Sequence, residues 1–273
     1  MGADPLTSPR SARVTEVRHL HDRRHRAARG AFVVEGPQAV AAAGDHGISD
    51  LFVTERAAER YPDLVAGQRA RGARVTVASD EVLEAMSETR QSQGIIAVCP
   101  LVTTPLDTLM MGAVGDSAAP PFLVVLDRVN NPGNAGTVIR SADALGANGV
   151  IMTEGSVDPH NGKCVRSTAG SLFHVAISDG VTATDAIAAC RSAGVVIVTA
   201  HAAGDVDLDG PAAIPLLRGP VAWVFGSEAH GIDAQWRDAA GVSVRIPMTG
   251  AAESLNMAAA AAICLYATAR MRR

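Results

Sequence analysis

Three short stretches in the C-terminal half carry residue types that can do chemistry. In DRVNNPGNAGTVIR, residues 127–140, Pro132, Gly133 and Gly136 allow a tight turn that brings backbone N–H groups near a bound group. Asn134 is placed in that turn, where its amide can brace the backbone or meet a ligand. Arg140 falls near the first turns of the following helix, aimed back toward the loop, where a guanidinium can grip a phosphate through two parallel bonds. The plain alternative is an Asn-Gly turn followed by a surface arginine. In VFGSEAHGID, residues 224–233, Gly226 and Gly231 bracket a carboxylate, Glu228, which can serve a site or simply cap nearby N–H groups. The stretch lacks the Lys-Ser/Thr of a triphosphate loop, and no G-x-G-x-x-G dinucleotide fingerprint is present. In RIPMTGAAESLNMAAAAAICLYATAR, residues 245–270, Ser254 is expected as a helix N-cap with Asn256 in the first turn. A capped, alanine-rich core helix explains most of that segment equally well.

The elements around these stretches are expected to place them at one edge of a sheet. FLVVLD, residues 122–127, is an apolar run of the kind covered on both faces. Similar runs occur at 149–153, 195–199, 221–225 and 242–246, with helical patterns between them at 137–145, 184–193 and 255–270. Strand alternating with helix implies a parallel sheet with helices on both faces, and ligands in such sheets collect beyond the C-terminal strand ends. The N-terminal hundred residues alternate short apolar strands and helices: strands at 32–34, 51–54, 73–79 and 94–99, helices at 39–43, 57–71 and 80–86. They read as a smaller α/β layer domain. Prolines and glycines between 103 and 121 interrupt the periodicity and suggest a linker. The expected division is therefore 1–104, a linker at 105–120, and 121–273.

Composition narrows the class. With 273 residues, 48% apolar, and a formal net charge of −4, the chain can bury a core but has no global attraction for a polyanion. Nucleic-acid contacts would have to come from local clusters. One such cluster is the basic segment at 11–30, where Arg18, Arg23, Arg24, Arg26 and Arg29 face only Asp22 and Glu16, although a solvated helix face is the default for a charge run. Lys163 is the only lysine, in keeping with a compositional bias toward Ala, Gly and Arg. Cys99, Cys164, Cys190 and Cys264 form no C-x-x-C pair, so reduced buried thiols are expected rather than a metal site. No secretory signal or membrane-spanning run is read, and a cytoplasmic location is expected.

The order and spacing of Asn134 with Arg140, then GSEAHG, then IPM followed by SLN, resemble the SpoU family of the SPOUT methyltransferases over residues 122–270. RSTAGSLF at 166–173 is similar to a segment this family carries between its first two motifs. HDRRHRAARGAFVVEG resembles the ribosomal-protein-like α/β/α substrate-binding domain that often precedes the catalytic domain. The resemblance implies a trefoil-knotted C-terminal fold, an exception to the general absence of knots. It implies a homodimer that binds S-adenosyl-L-methionine mainly through backbone groups, at positions corresponding to Thr199, Ala200, His201, Gly226, Ile246, Met248 and Leu255. The family's functional side chains correspond to Asn134, Arg140, Glu228, Ser254 and Asn256, all present at the family's spacing. The implied reaction is methylation of a ribose 2′-hydroxyl in RNA, most readily 23S ribosomal RNA. Transfer RNA, or a non-catalytic RNA-binding relative, is the alternative. RNA contacts are expected at Arg18, Arg23, Arg24, Arg26, Arg29, Arg140 and Arg166, with Arg140 directed toward the cofactor of the partner subunit. Neither a metal nor a membrane enters this reading.

Overall fold

The computed structural model describes residues 5–89, 92–115, 119–227 and 231–273. By internal contacts the chain divides into two units: Met1–Val102 together with His160–His174, and Thr103–Pro159 together with Val175–Arg273.

The first unit is built on four strands, β1 (Ala31–Glu35), β2 (Asp50–Val53), β3 (Arg74–Val77) and β4 (Ile95–Pro100), in the order β1-β4-β2-β3. β4 runs antiparallel to both its neighbours, while β2 and β3 are parallel. Side chains alternate across the pleat, so Val33, Phe52, Ile96 and Val98 share one face. They pack under Val14 and Val17 of the helix Ala12–His19 and Val82, Leu83 and Met86 of the helix Asp80–Met86. On the opposite face, fully buried Phe32 meets the rings of His160 and Phe173 at 4.6 and 6.0 Å. That contact explains why His160–His174 groups with this unit despite its distance in sequence. Residues 57–71, expected as one helix, form two, Glu55–Arg60 and Pro62–Ala70, because Pro62 lacks the N–H needed to continue the first.

The second unit carries seven strands: β5 (Phe122–Asp127), β6 (Gly149–Thr153), β7 (Ala176–Val181), β8 (Val196–Ala200), β9 (Val206–Asp207), β10 (Val221–Gly226) and β11 (Val242–Arg245). All pair in parallel, in the order β7-β6-β5-β10-β8-β11-β9. Leu123, Val125, Ala222 and Val224 point to one face, in a core shared with the helices Leu106–Val114, Ala183–Ser192 and Ala234–Ala239. Trp223 points to the other face, where its Nε1–H donates to Thr268 Oγ1 at 2.9 Å on the helix Met257–Met271. That helix lies against the helix Pro132–Ala144. The sheet is thus covered on both sides, as the unbroken apolar strands require.

Residues 105–120 hold a helix rather than a plain linker. Leu109, Met110 and Ala113 of Leu106–Val114 are buried in the second unit's core, and the Leu109 side chain fills the space beside Gly149. No helix among the described residues is long and apolar enough to cross a membrane.

Candidate functional site

The C-terminal ends of β8 and β10 open into a cleft of about 510 Å³, completed by the segment after β11 and the start of the C-terminal helix. This is where a parallel sheet is expected to receive a ligand, and the volume suits a small molecule. Phe225, Ile232 and Val244 make the inner wall, while Ile246, Met248 and Leu255 form the outer one. Met248 and Leu255 are 38% and 39% exposed, large apolar groups left uncovered at the cleft. Among the described lining residues none is Asp, Glu, Lys or Arg. Polar contacts to a ligand therefore fall to backbone groups, Ser227, Ser254, Asn256 and His201.

Glycine is required at one wall. A Cβ on Gly226 would stand 2.2 Å from the carbonyl oxygen of Gly231, so the two backbone segments can meet only there. The Gly231 N–H donates back to Ser227 O at 2.8 Å and closes the base of the loop. Glu228 lies outside the described residues. Of the residues expected at a cofactor, Ala200, His201, Gly226, Ile246, Met248 and Leu255 line the cleft. Thr199 does not: it is 2% exposed inside β8, one residue short of the strand end.

Ser254 and Asn256 both line the cleft, with their roles rearranged. Asn256, not Ser254, is the N-cap: its Oδ1 accepts from the N–H groups of Ala258 and Ala259 at 3.0 and 3.3 Å. Its Nδ2 donates to Asn134 Oδ1 at 3.4 Å, joining the first and third motifs. Asn134 is not in a turn but is the third residue of the helix Pro132–Ala144. The proline starts that helix, and Asn131 caps it by accepting from Gly133 and Asn134 N–H. Sequence reasoning missed Asn131, although Asn before Pro at a helix start was the available signal. Arg140 is exposed on the same helix, away from the cleft lining, and has no hydrogen-bonding or ionic partner among the described residues.

The basic segment folds as two helices, Ala12–His19 and Arg23–Arg29. Arg18, Arg23, Arg24 and Arg29 are exposed, Arg29 standing 3.7 Å from Glu16. Arg26 is not on that face. It is 3% exposed, and its Nη1 donates to the carbonyls of Leu20 and His21 at 2.9 and 2.8 Å, so its charge braces the break between the helices. Arg166 is also engaged internally, 3.2 Å from Glu35 and 3.5 Å from Glu88. Within the first unit its charge is balanced by these two carboxylates.

Comparison with known proteins supplies the deciding observation. Residues 121–266, just over half the chain, match the model of the SpoU rRNA Methylase family. The chain belongs to the SpoU rRNA methylase family. Residues 11–97 match a second model, the MRM3-like substrate binding domain. Among SpoU relatives, a 23S rRNA (uridine(2479)-2′-O)-methyltransferase of Streptomyces viridochromogenes is 32% identical over 263 residues, covering 93% of this chain and 87% of that one. The 23S rRNA (guanosine(2553)-2′-O)-methyltransferase RlmP of Bacillus subtilis is 28% identical, covering 96% and 97%. An AdoMet-bound rRNA methyltransferase from Sinorhizobium meliloti superposes with a TM-score of 0.84 at 31% identity, covering 98% and 97% of the two chains. The SpoU likeness thus spans both units and includes a relative solved with its methyl donor.

Proposed function

We infer that this chain is an S-adenosyl-L-methionine-dependent RNA methyltransferase that places a methyl group on a ribose 2′-hydroxyl of 23S ribosomal RNA. The observation that carries the reading is the cleft of about 510 Å³, walled by Gly226, Ile246, Met248 and Leu255 and without Asp, Glu, Lys or Arg among its described lining residues, next to the linked pair Asn134 and Asn256. The cleft fits the cofactor: apolar walls suit an adenine ring, and the Gly226–Gly231 approach leaves backbone groups at the surface for its polar atoms. When bound, S-adenosyl-L-methionine supplies a methyl group already activated on sulfur.

The protein must then position the hydroxyl in line and assist removal of its proton. Ser254 and Asn256 orient the ribose, and Asn134 shapes the wall beside them; Glu228 joins this functional set through the family resemblance alone. Arg140 binds the phosphate beside the target, since a guanidinium offers an anion a fork of N–H donors and has no free site to accept a proton. Its position off the cleft of its own chain, unpaired among the described residues, suits delivery to the cofactor of a partner subunit. The assembly is accordingly a homodimer. Ile263 and Tyr266, 41% and 52% exposed on the helix Met257–Met271, offer apolar surface for a second copy. A trefoil knot around the cleft, a cytoplasmic location and separate RNA-binding and catalytic roles for the two units belong to the same reading. RNA is gripped through Arg18, Arg23, Arg24 and Arg29, which the helix Ala12–His19 and the helix Arg23–Arg29 expose.

Arg140→Ala is the test. The variant is expected to bind S-adenosyl-L-methionine in calorimetry as the parent does, and to lose most transfer to ribosomal RNA. Transfer at the parental rate would remove Arg140 from the site.

A further inference from the structure

The loops that carry the first two motifs are tied together at their bases by a buried carboxylate and a constrained arginine. Asp127 ends β5 and is 2% exposed. Thr153, at the end of β6, donates its hydroxyl to Asp127 Oδ1 at 3.1 Å and accepts the N–H of Arg128 at 3.0 Å. Asp127 Oδ2 accepts the backbone N–H of Asp233 at 3.4 Å. Arg128 itself has φ of +51°, a left-handed conformation that an L side chain adopts only under constraint. Its guanidinium lies 2.8 Å from Asp233 Oδ2 and 3.7 Å from Asp127 Oδ2, so one cation bridges both carboxylates.

The two sides of this tie lead into the site from different directions. From Arg128 the chain passes to Asn131, the cap of the helix that carries Asn134 and Arg140. Val129 is fixed on the way, its N–H donating to Ser156 Oγ at 3.2 Å and its carbonyl accepting from Val157 at 2.9 Å. From Asp233 the chain runs back through Ile232, which lines the cleft, to the Gly231–Gly226 backbone contact. Asp233 also caps the helix Ala234–Ala239, accepting the Gln235 N–H at 2.9 Å. A buried acceptor facing two donors, with a charge bridge across it, holds two loops in one arrangement more firmly than surface contacts do.

We propose that Asp127 and Arg128 are positioning residues of the methyl-transfer site, locking the wall residues Gly226, Gly231 and Ile232 to the start of the helix that carries Asn134 and Arg140. Neither touches the cleft; both act through Asp233 and Thr153. The proposal rests on the methyl-transfer reading for its kinetic consequence, not for its structural one.

Arg128→Gly suits the left-handed backbone and removes only the bridge. Asp233→Asn keeps a capping oxygen for Gln235 and also removes the bridge. Each is expected to stay folded with a modest fall in melting temperature, because Asp127 keeps its Thr153 and Asp233 donors but loses charge compensation. Each should lower kcat for methyl transfer by about tenfold, because misplacement of a site wall acts on the transition state. KM for RNA should stay within about twofold of the parent's by the same argument. The double variant should fall no further than either single one, because both remove the same interaction. Asp127→Asn, which sets an amide N–H against one of two donors, should lower kcat at least as much. Single falls that multiply in the double variant, or kcat unchanged in all three, would overturn the proposal. Hydrogen exchange at the Asp233 and Ile232 amides is the second readout and needs no activity. It should quicken in Asp127→Asn and Arg128→Gly, and unchanged exchange would refute the tie directly. A parent protein inactive on RNA would instead sink the methyl-transfer reading, with exchange still deciding the role of Asp127 and Arg128.

Discussion

Asn256 holds a helix end and a cross-motif contact with one side chain, and substitutions can separate the two. Its Oδ1 takes the N–H groups of Ala258 and Ala259, and its Nδ2 reaches Asn134. Asn256→Ala leaves both helix donors without a side-chain acceptor, which costs about 1 kcal/mol for a typical cap. Because the helix Met257–Met271 covers the Trp223 face of the sheet, that loss should register in global stability. For a domain of this size it corresponds to a fall in melting temperature of roughly 2–4 °C. Asn256→Ser keeps a capping oxygen but cannot reach Asn134, and the 3.4 Å contact it forfeits is long and exposed. Its stability cost should be only about 0.5 kcal/mol or less. Calorimetric melting and methyl transfer to ribosomal RNA, measured on the same preparations, separate the roles. Ser should melt near the parent while transferring poorly, whereas Ala should lose both. Equal melting temperatures for Ala and the parent would refute the capping argument. Full activity in Ser would refute the Asn134 link.

Other outcomes follow from the same geometry. Thr268→Val removes the acceptor of the buried Trp223 N–H and should destabilise by about 1–3 kcal/mol, read by urea denaturation; no change would mean the bond contributes nothing. Arg24→Ala should weaken RNA binding and flatten its salt dependence with little effect on melting, because Arg24 is exposed. Arg26→Ala should instead lower the melting temperature, since buried Arg26 holds two carbonyls, and the opposite pattern in a filter-binding and melting comparison would reverse the assignment. Burial pushes the thiols of Cys99 and Cys264 up to about 12 and that of Cys190 to about 11. They remain neutral at pH 8 and should resist alkylation until the chain unfolds. An unfolded cysteine ionises near about pH 8.5. The folded groups ionise later, so their contribution to stability is present below that pH and is lost as pH rises toward their folded values. Rapid alkylation of the native protein, or stability rising through pH 9 and 10, would contradict this.

The central strands were legible because a strand covered on both faces must be apolar throughout, and FLVVL and VAWVF have no polar interruption. β7 was not, because Asp179 and Gly180 break its pattern just where the pairing with β6 shifts register. The helix Leu106–Val114 was hidden by Gly112 and the flanking prolines, although Leu109, Met110 and Ala113 sit at a spacing that marks one buried helix face. Most of the cleft could be named from the family's motifs, but local physics alone misplaced the cap by two residues. Ser254 and Asn256 are both good cap types, and only the start of the hydrogen-bonded turn decides between them. The arginines divide for a similar reason. Charge is visible in sequence, whereas the burial of Arg26 and the Glu35 and Glu88 partners of Arg166 arise only when distant segments meet.

The most direct test of the reading is transfer of a labelled methyl group from S-adenosyl-L-methionine to 23S ribosomal RNA by the purified protein. After alkaline hydrolysis the label should appear in an alkali-resistant dinucleotide, since a 2′-O-methyl group blocks cleavage at its own ribose. A transcript with a 2′-deoxy sugar at the modified nucleotide should accept none. Label recovered on a base, or incorporated equally into the 2′-deoxy transcript, would contradict the assignment.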